Sequence, residues 1–431
     1  MKNIFFYEDK NFLSTFTRFL NTRQQANVKI TELVEKVIKD VKIRKDTAVI
    51  EYTKQFDNID LSKMGFFFHP NEIKKSIGKI GSLDKEAIDL SINRILEFHK
   101  KQMPANLSWK DELGIELGWV WKPIDRVGVY VPGGKASYPS SAIMNVVPAR
   151  VAGVNDIILA SPSPDGTFNP LTLYASSAMD ITKILRVGGA QAIAALAFGT
   201  ETIEKVHKIT GPGNEYVAEA KRQVFGRVGI DSVAGPSEVL LISDKTMPEK
   251  IAALDLLAQA EHDPNAQSIL ITNDHEYALK VEKEIENYLQ YLKRREVARL
   301  SWREFGAIVI VPDFKKAIEV SNLIAPEHLQ LCFADAGNYL GYIKSAGSIF
   351  LGFWSPEAMG DYITGSNHVL PTNGTAKFSS SLSVFDFLKR VAVTKVNENG
   401  FKKLAPAVVR LANSEGLQAH SLSVSERLKD P

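Results

Sequence analysis

The chain has 431 residues, 45% of them hydrophobic and 24% charged, with 52 basic and 50 acidic side chains and a formal charge of +2. That length exceeds one small core, so two or three domains are expected, and the ordinary composition excludes a disordered or fibrous protein. Balanced charge leaves no footprint for nucleic acid, no apolar run approaches the ~20 residues of a membrane-spanning helix, and a single cysteine, Cys332, excludes an intramolecular disulfide. A reducing, cytoplasmic setting is expected. The start, Met1-Lys2-Asn3-Ile4-Phe5-Phe6-Tyr7-Glu8-Asp9, turns acidic too early for a signal peptide.

Residues 1–25 read as a polar arm spotted with aromatics. Residues 28–60 carry Val28, Ile30, Leu33, Val34, Val37, Ile38 and Val41 at helical spacing. A second long helix is expected over 84–101, ended by Pro104. From residue 126 the texture changes. Strands are expected at 126–131, 156–160, 184–187 and 206–209, and helices at 140–151, 171–179, 190–198 and 215–225. The pattern restarts with strands at 239–242, 268–271, 307–311 and 329–333 and helices at 248–261, 275–292 and 314–324. Strands alternating with helices of this length predict right-handed βαβ units and parallel sheets. Segments 248–271 and 314–333 each run helix, Glu-His, strand, which suggests a duplicated unit. Residues 371–385, rich in Ser, Thr, Asn and Gly, read as a linker or flexible loop, and 386–431 as a helical tail too small to fold alone.

Three Gly-rich turns end strands in the first α/β block: Pro132-Gly133-Gly134, Gly188-Gly189 and Gly211-Pro212-Gly213-Asn214. Each alone suits a tight turn. Three in one parallel sheet suit a nucleotide bound at the carboxyl ends of its strands. Two of the eight histidines stand in Glu-His pairs, Glu261-His262 and Glu327-His328. Gln259 and His262, three apart, would share a helix face, which suits either two ligands of one metal ion or a solvated surface. Glu327-His328 offers two adjacent groups that move protons at neutral pH. Asp361 and His420 are candidate further ligands; such an oxygen and nitrogen set suits zinc, or manganese or cobalt. Cys332 alternates into an apolar strand and reads as inert core. His69, His99, His207, His275 and His368 receive no role.

The ordered text resembles the histidinol dehydrogenase family. It includes Tyr130-Val131-Pro132-Gly133-Gly134, Tyr138-Pro139-Ser140-Ser141, the run from Val187 to Thr200, Gly211-Pro212-Gly213-Asn214 and Asp231-Ser232-Val233-Ala234-Gly235-Pro236-Ser237-Glu238. It continues through Gln259-Ala260-Glu261-His262-Asp263, Ala325-Pro326-Glu327-His328-Leu329, Gly360-Asp361-Tyr362 and Glu415-Gly416-Leu417-Gln418-Ala419-His420. The resemblance implies two doubly wound, incomplete Rossmann-like parallel-sheet domains with an N-terminal arm (1–25) and a helical C-terminal tail. A zinc-binding catalytic domain would comprise 26–129 with 237–380, and an NAD-binding domain 130–236. The tail, 381–431, would be swapped in a homodimer. The implied activity is oxidation of L-histidinol to L-histidine through histidinal with two NAD. Zinc would be held by Gln259, His262, Asp361 and His420. NAD would contact Tyr130, Gln191 and Asn214. Substrate would contact Ser237, Gln259, His262, His328, Asp361, Glu415 and His420. Glu327 would activate water and His328 act as general base. Other readings are a dehydrogenase for another amino alcohol or diol, a zinc hydrolase working without NAD, and a zinc-stabilised scaffold.

Overall fold

The computed structural model describes residues 3–23, 28–133 and 138–429. Its strands are β1 (Ile4–Phe6), β2 (Leu107–Lys110), β3 (Glu116–Pro123), β4 (Arg126–Tyr130), β5 (Asp156–Ala160), β6 (Lys183–Leu185) and β7 (Lys208–Thr210). They continue with β8 (Gly229–Ile230), β9 (Glu238–Ser243), β10 (Gln267–Thr272), β11 (Ala307–Ile310), β12 (His328–Cys332), β13 (Ser348–Leu351) and β14 (Leu388–Lys395). Among the described residues they form three sheets, ordered β6-β5-β4-β7-β8, β1-β11-β10-β9-β12-β13 and β14-β3-β2. The first two are parallel throughout and the third is antiparallel. The chain divides into two compact units, Met1–Gln102 with Asp125–Phe387 and Met103–Ile124 with Leu388–Pro431. Gly134, residues 1 and 2 and the expected 25/26 boundary lie outside the described residues. Among those described, no helix is long and apolar enough to cross a membrane.

Both parallel sheets are doubly wound. The chain lays down β4, β5 and β6 to one side, then returns for β7 and β8 on the other, so its direction reverses between β4 and β7. β9, β10 and β11, followed by β12 and β13, repeat that order and reverse between β9 and β12. The repetition is therefore of whole sheets and larger than the pair of helix-strand units expected. Central strands such as β9 and β10 are buried along their whole length. Helices cover both faces of the sheet containing them, with Phe12, Phe16 and Phe19 on one side and Leu256, Tyr277 and Trp302 on the other. Fully buried parallel strands call for such runs of Val, Ile and Leu.

Several expected boundaries change. The arm over 1–25 contains β1 and the helix Phe12–Asn21, whose aromatics are core. The helix expected over 28–60 is two helices, Val28–Arg44 and Asp46–Asp57, broken at Lys45, where φ is 51°. These helices were expected in the catalytic domain with 237–380. They pack instead with Gly189–Phe198 against β5 and β6, in one core with Tyr130, Ile158 and Leu185. Residues 371–385 are anchored, with Thr372, Leu382 and Val384 buried. The tail opens with strand β14, which pairs along its whole length with β3.

Within the first unit, the helix Ser82–Lys100 ties the two parallel sheets together. It packs on the helices Pro139–Val151 and Pro170–Ala178 beside β4 and β5. On its other side Ser91 donates to the Tyr362 carbonyl (2.6 Å) and Arg94 to that of Thr364 (3.1 Å). Pro148, inside Pro139–Val151, has no N–H to offer the carbonyl four residues back. That carbonyl, of Met144, accepts from the buried Asn367 amide at 2.6 Å. A helix imperfection thus becomes an anchor for the segment after Asp361.

Candidate active site

The first crevice opens where the strand order reverses between β4 and β7. Tyr130 closes β4 and is buried; its hydroxyl accepts from the Gly189 N–H (3.1 Å). Gly211 follows β7 at φ 112°, and a Cβ there would stand 1.9 Å from the Tyr130 carbonyl oxygen, so only glycine permits this approach. Asp231 accepts from the Gly211 N–H (2.7 Å), the buried Lys221 donates to the Gly211 carbonyl (2.9 Å), and Lys221 and Asp231 form an ion pair. Asn214 is exposed and caps the helix Glu215–Val224. Gln191 is buried in the helix Gly189–Phe198, and its amide nitrogen has no hydrogen-bond partner. Asp57, which the sequence did not single out, accepts from the Gly188 backbone and faces Tyr130; burial raises its pKa.

The second cluster lies at the amino edge of the other sheet, the reverse of what strand order alone suggests. Ala325 ends the helix Phe314–Ile324 in the left-handed region (φ 53°) and turns the chain into β12. Glu327 and His328 follow, both buried. The backbone of one residue, Glu238, organises them. The Glu238 N–H donates to Glu327 Oε2 (2.7 Å), and its carbonyl oxygen lies 2.8 Å from His328 Nδ1. Carbonyl and carboxylate oxygens only accept, so Nδ1 donates to the Glu238 carbonyl and Nε2 to Asp361 Oδ1, 3.2 Å away; Nε2 is the nitrogen free to exchange its proton while Nδ1 stays fixed. The Gln259 amide nitrogen lies 3.1 Å from Nδ1. His368 Nδ1 donates to the Asp361 carbonyl (2.9 Å), which gives a place at the site to a histidine first left without a role.

Gln259 closes the helix Glu249–Ala260 and is buried, whereas His262 lies beyond its end and is exposed. They share a turn, with His262 N–H donating to the Gln259 carbonyl (3.1 Å), and not the helix face expected. Ser237 immediately precedes β9. Glu415 and His420 stand exposed on the second unit.

Carboxyls dominate the pocket. Burial lifts Glu327 to about 7, against the pull of His328, and lifts Glu357 well above the usual range. Burial alone would discharge His328, but Glu327, Asp361 and Glu357 overcome it and hold the ring's pKa well above its ordinary value. Glu357 Oε2 is 3.8 Å from His328 Nδ1 and makes no hydrogen bond. Three carboxyls thus face one imidazole, and unpaired buried charge is costly. Among the described residues no three His, Cys, Asp or Glu side chains form a metal site by themselves. Gln259, His262 and Asp361 nevertheless bring oxygen and nitrogen donors into an acid-rich pocket, which fits a divalent cation completed by a further ligand.

Asp255 lies one helical turn before Gln259 and accepts from Gln330 (2.5 Å); burial lifts it to about 6. A carboxyl with a folded pKa above its unfolded value loses stability as pH rises from about 4 to 6, and the loss persists above. Asp255→Asn is therefore expected to stabilise the protein at pH 7 by on the order of 1–3 kcal/mol. Melting curves of both proteins at pH 4 and pH 7 check this: an advantage equal at both pH values rules out the titration as its source. Cys332 is buried, its thiol pushed up to about 11 by that burial, and it touches Gln330 and the Gly352 carbonyl.

A crevice at a strand reversal and a buried acid-base pair, carried on two doubly wound sheets, define an α/β enzyme. The family model for histidinol dehydrogenase matches residues 20–428. Histidinol dehydrogenase from Cereibacter sphaeroides is 49% identical over 417 residues, covering 97% of this chain and 96% of that one. The Brucella suis protein of the same name is 49% identical over 421 residues, covering 97% and 98%. The crystal structure of histidinol dehydrogenase from Elizabethkingia anophelis superposes with a TM-score of 0.93 at 37% identity, covering 99% and 98%. An acetylating aldehyde dehydrogenase from Geobacillus thermoglucosidasius, 12% identical with a TM-score of 0.50, shares the fold alone. The chain belongs to the histidinol dehydrogenase family and is an oxidoreductase.

Proposed function

We propose that the chain oxidises L-histidinol to L-histidine through histidinal, passing two hydrides to two NAD in turn, as the last step of histidine biosynthesis in the cytoplasm. Family membership supports the substrate. The observation that carries the mechanism is the Glu238 backbone, whose N–H holds Glu327 while its carbonyl holds His328.

NAD would lie across the β4/β7 crevice against Tyr130, Gln191 and Asn214. Zinc would be held by Gln259, His262 and Asp361 with His420 of the partner subunit. When bound, it supplies positive charge that anchors the substrate's imidazole and amine and offsets the Asp361 carboxylate. Ser237 and Glu415 of the partner subunit would complete the substrate contacts. His328, its Nδ1–H fixed by the Glu238 carbonyl, takes the hydroxyl proton at Nε2 as hydride leaves the carbinol carbon. The aldehyde stays bound. Glu327 removes a proton from water as that water adds to the aldehyde carbon, and His328 returns its proton to the aldehyde oxygen, which completes the gem-diol and frees Nε2 to act again. His328 then deprotonates the resulting gem-diol as the second hydride leaves. Cys332 is too deeply buried, and its thiol too weakly acidic, to offer a thiolate route.

Absorbance from NADH tests this reading on mixing zinc-loaded protein, NAD and L-histidinol. An inert mixture would favour a hydrolase or a different alcohol. The shared site has its own support. Three of the four proposed zinc donors belong to the first unit, while His420 and Glu415 are exposed on the second, beside outward-facing Leu411 and Leu417. Mixing inactive His328→Asn and His420→Asn homodimers is expected to restore activity after subunit exchange, toward a quarter of the wild-type sites when mixing is random. No recovery after demonstrated exchange would count against tail sharing.

A further inference from the structure

Arg23 lies just past the helix Phe12–Asn21, outside the residues assigned to the site so far. β1 is the outermost strand, beyond β11, and the helix after it packs Phe12, Phe16 and Phe19 on the sheet face with Leu240 and Leu329. It delivers Arg23 to the amino ends of β9 and β10. There the Arg23 side chain, 3% exposed, donates through Nη1 to Glu238 Oε1 and Gln267 Oε1 (both 3.1 Å) and through Nη2 to the Pro236 carbonyl (2.8 Å). Glu238 Oε1 also accepts from the Asn373 N–H (2.9 Å), and its Oε2 from the Glu327 N–H (3.4 Å). The same residue's backbone N–H and carbonyl bind the Glu327 carboxylate and the His328 ring.

We infer that Arg23 is the positioning residue of the acid-base pair, clamping Glu238 so that the backbone N–H and carbonyl of this one residue hold Glu327 and His328 in register. The inference rests on the reading that these two groups act on the substrate. It follows from the connectivity: Arg23 grips the backbone at 236 and the side chain at 238, on either side of Ser237. Methionine fills similar volume but binds none of the three acceptors. Glu238 would then lose its cation and Pro236 its donor, and the backbone through Ser237 and Glu238, with both the Glu238 N–H and its carbonyl, would be free to shift. Displacement of reacting groups by an ångström is costly to turnover. Gln259, His262 and Asp361 receive no bond from Arg23, so zinc binding should be spared.

The test compares zinc-loaded wild type, Arg23→Met, Arg23→Lys and the double variant Arg23→Met/Glu238→Gln. Arg23→Met is expected to lower kcat for histidinol oxidation about 30-fold, with zinc per chain within about twofold of wild type. Lysine, which keeps the charge but not the fork, should recover part of the loss. A buried Glu238 without its cation destabilises the chain, so the double variant removes both charges; it should regain thermal stability while kcat stays low. A kcat within about twofold of wild type in either methionine variant, or a fall that only tracks zinc content or folded fraction, overturns the inference. The clamp is also read without turnover, from imidazole nitrogen shifts in alkaline buffer. His328 should hold its hydrogen on Nδ1 in wild type and lose that preference in Arg23→Met; an unchanged spectrum overturns the clamp. A wild type inert toward histidinol would overturn the functional reading and leave this second result to decide the clamp.

Discussion

Glu327→Gln is expected to leave oxidation of L-histidinol to the aldehyde nearly intact and to slow aldehyde oxidation by about 10²-fold or more, the usual range for loss of a positioned base. The substitution is isosteric, and an amide oxygen still accepts from the Glu238 N–H now bound at 2.7 Å. Local structure should therefore survive. Burial already opposes the Glu327 charge, so neutralising it should not unfold the pocket. What is lost is the group that takes a proton from water, which only the second oxidation needs. Single-turnover NADH formation, measured separately from histidinol and from supplied histidinal, checks this. Equal losses on both substrates would sink the division of labour between Glu327 and His328.

His262→Asn is expected to remove zinc and activity together, with kcat down by at least about 10²-fold and little change in fold. His262 is exposed beyond the end of the helix Glu249–Ala260 and belongs to no core cluster among the described residues, so its packing contribution is small. Its charge is coupled to Asp361 across the pocket. Metal analysis beside an activity assay distinguishes the possibilities. Full zinc with lost activity would give His262 a role other than ligand, and full zinc with full activity would remove it from the site.

Much of the architecture is legible in the residues because it depends on local patterns. β9 and β10 are buried on both faces and so carry the apolar runs Val239-Leu240-Leu241-Ile242 and Ile269-Leu270-Ile271. The intervening helices are punctuated by Pro139, Pro170 and Pro248 at or beside their first turns. What escaped is non-local. β3 finds its partner β14 more than 260 residues later, and no register in either segment announces the pairing. The helix Arg295–Phe305 begins in the charged run Lys293-Arg294-Arg295, which masked its apolar side, Ala298 and Trp302. The N-terminal helices carry a clear apolar stripe, but a stripe does not say which sheet it will cover.

The candidate site divides the same way. Glu327 and His328 are adjacent in sequence and stay adjacent in space. Glu238 was passed over although an acid opening a fully apolar strand is itself a signal, since such a group must find a partner when buried. Glu357 and Asp361, four apart on one short helix, offered a similar hint. Arg23 offered none; its partners lie more than 200 residues away.

The central claim is that one site performs both oxidations. The most direct measurement is the number of NADH formed per L-histidinol consumed by purified, zinc-loaded protein. Two per substrate is the expected result, with no free aldehyde trapped. One per substrate would contradict the account, because the chain would then stop at the aldehyde and Glu327 would have no hydration to perform.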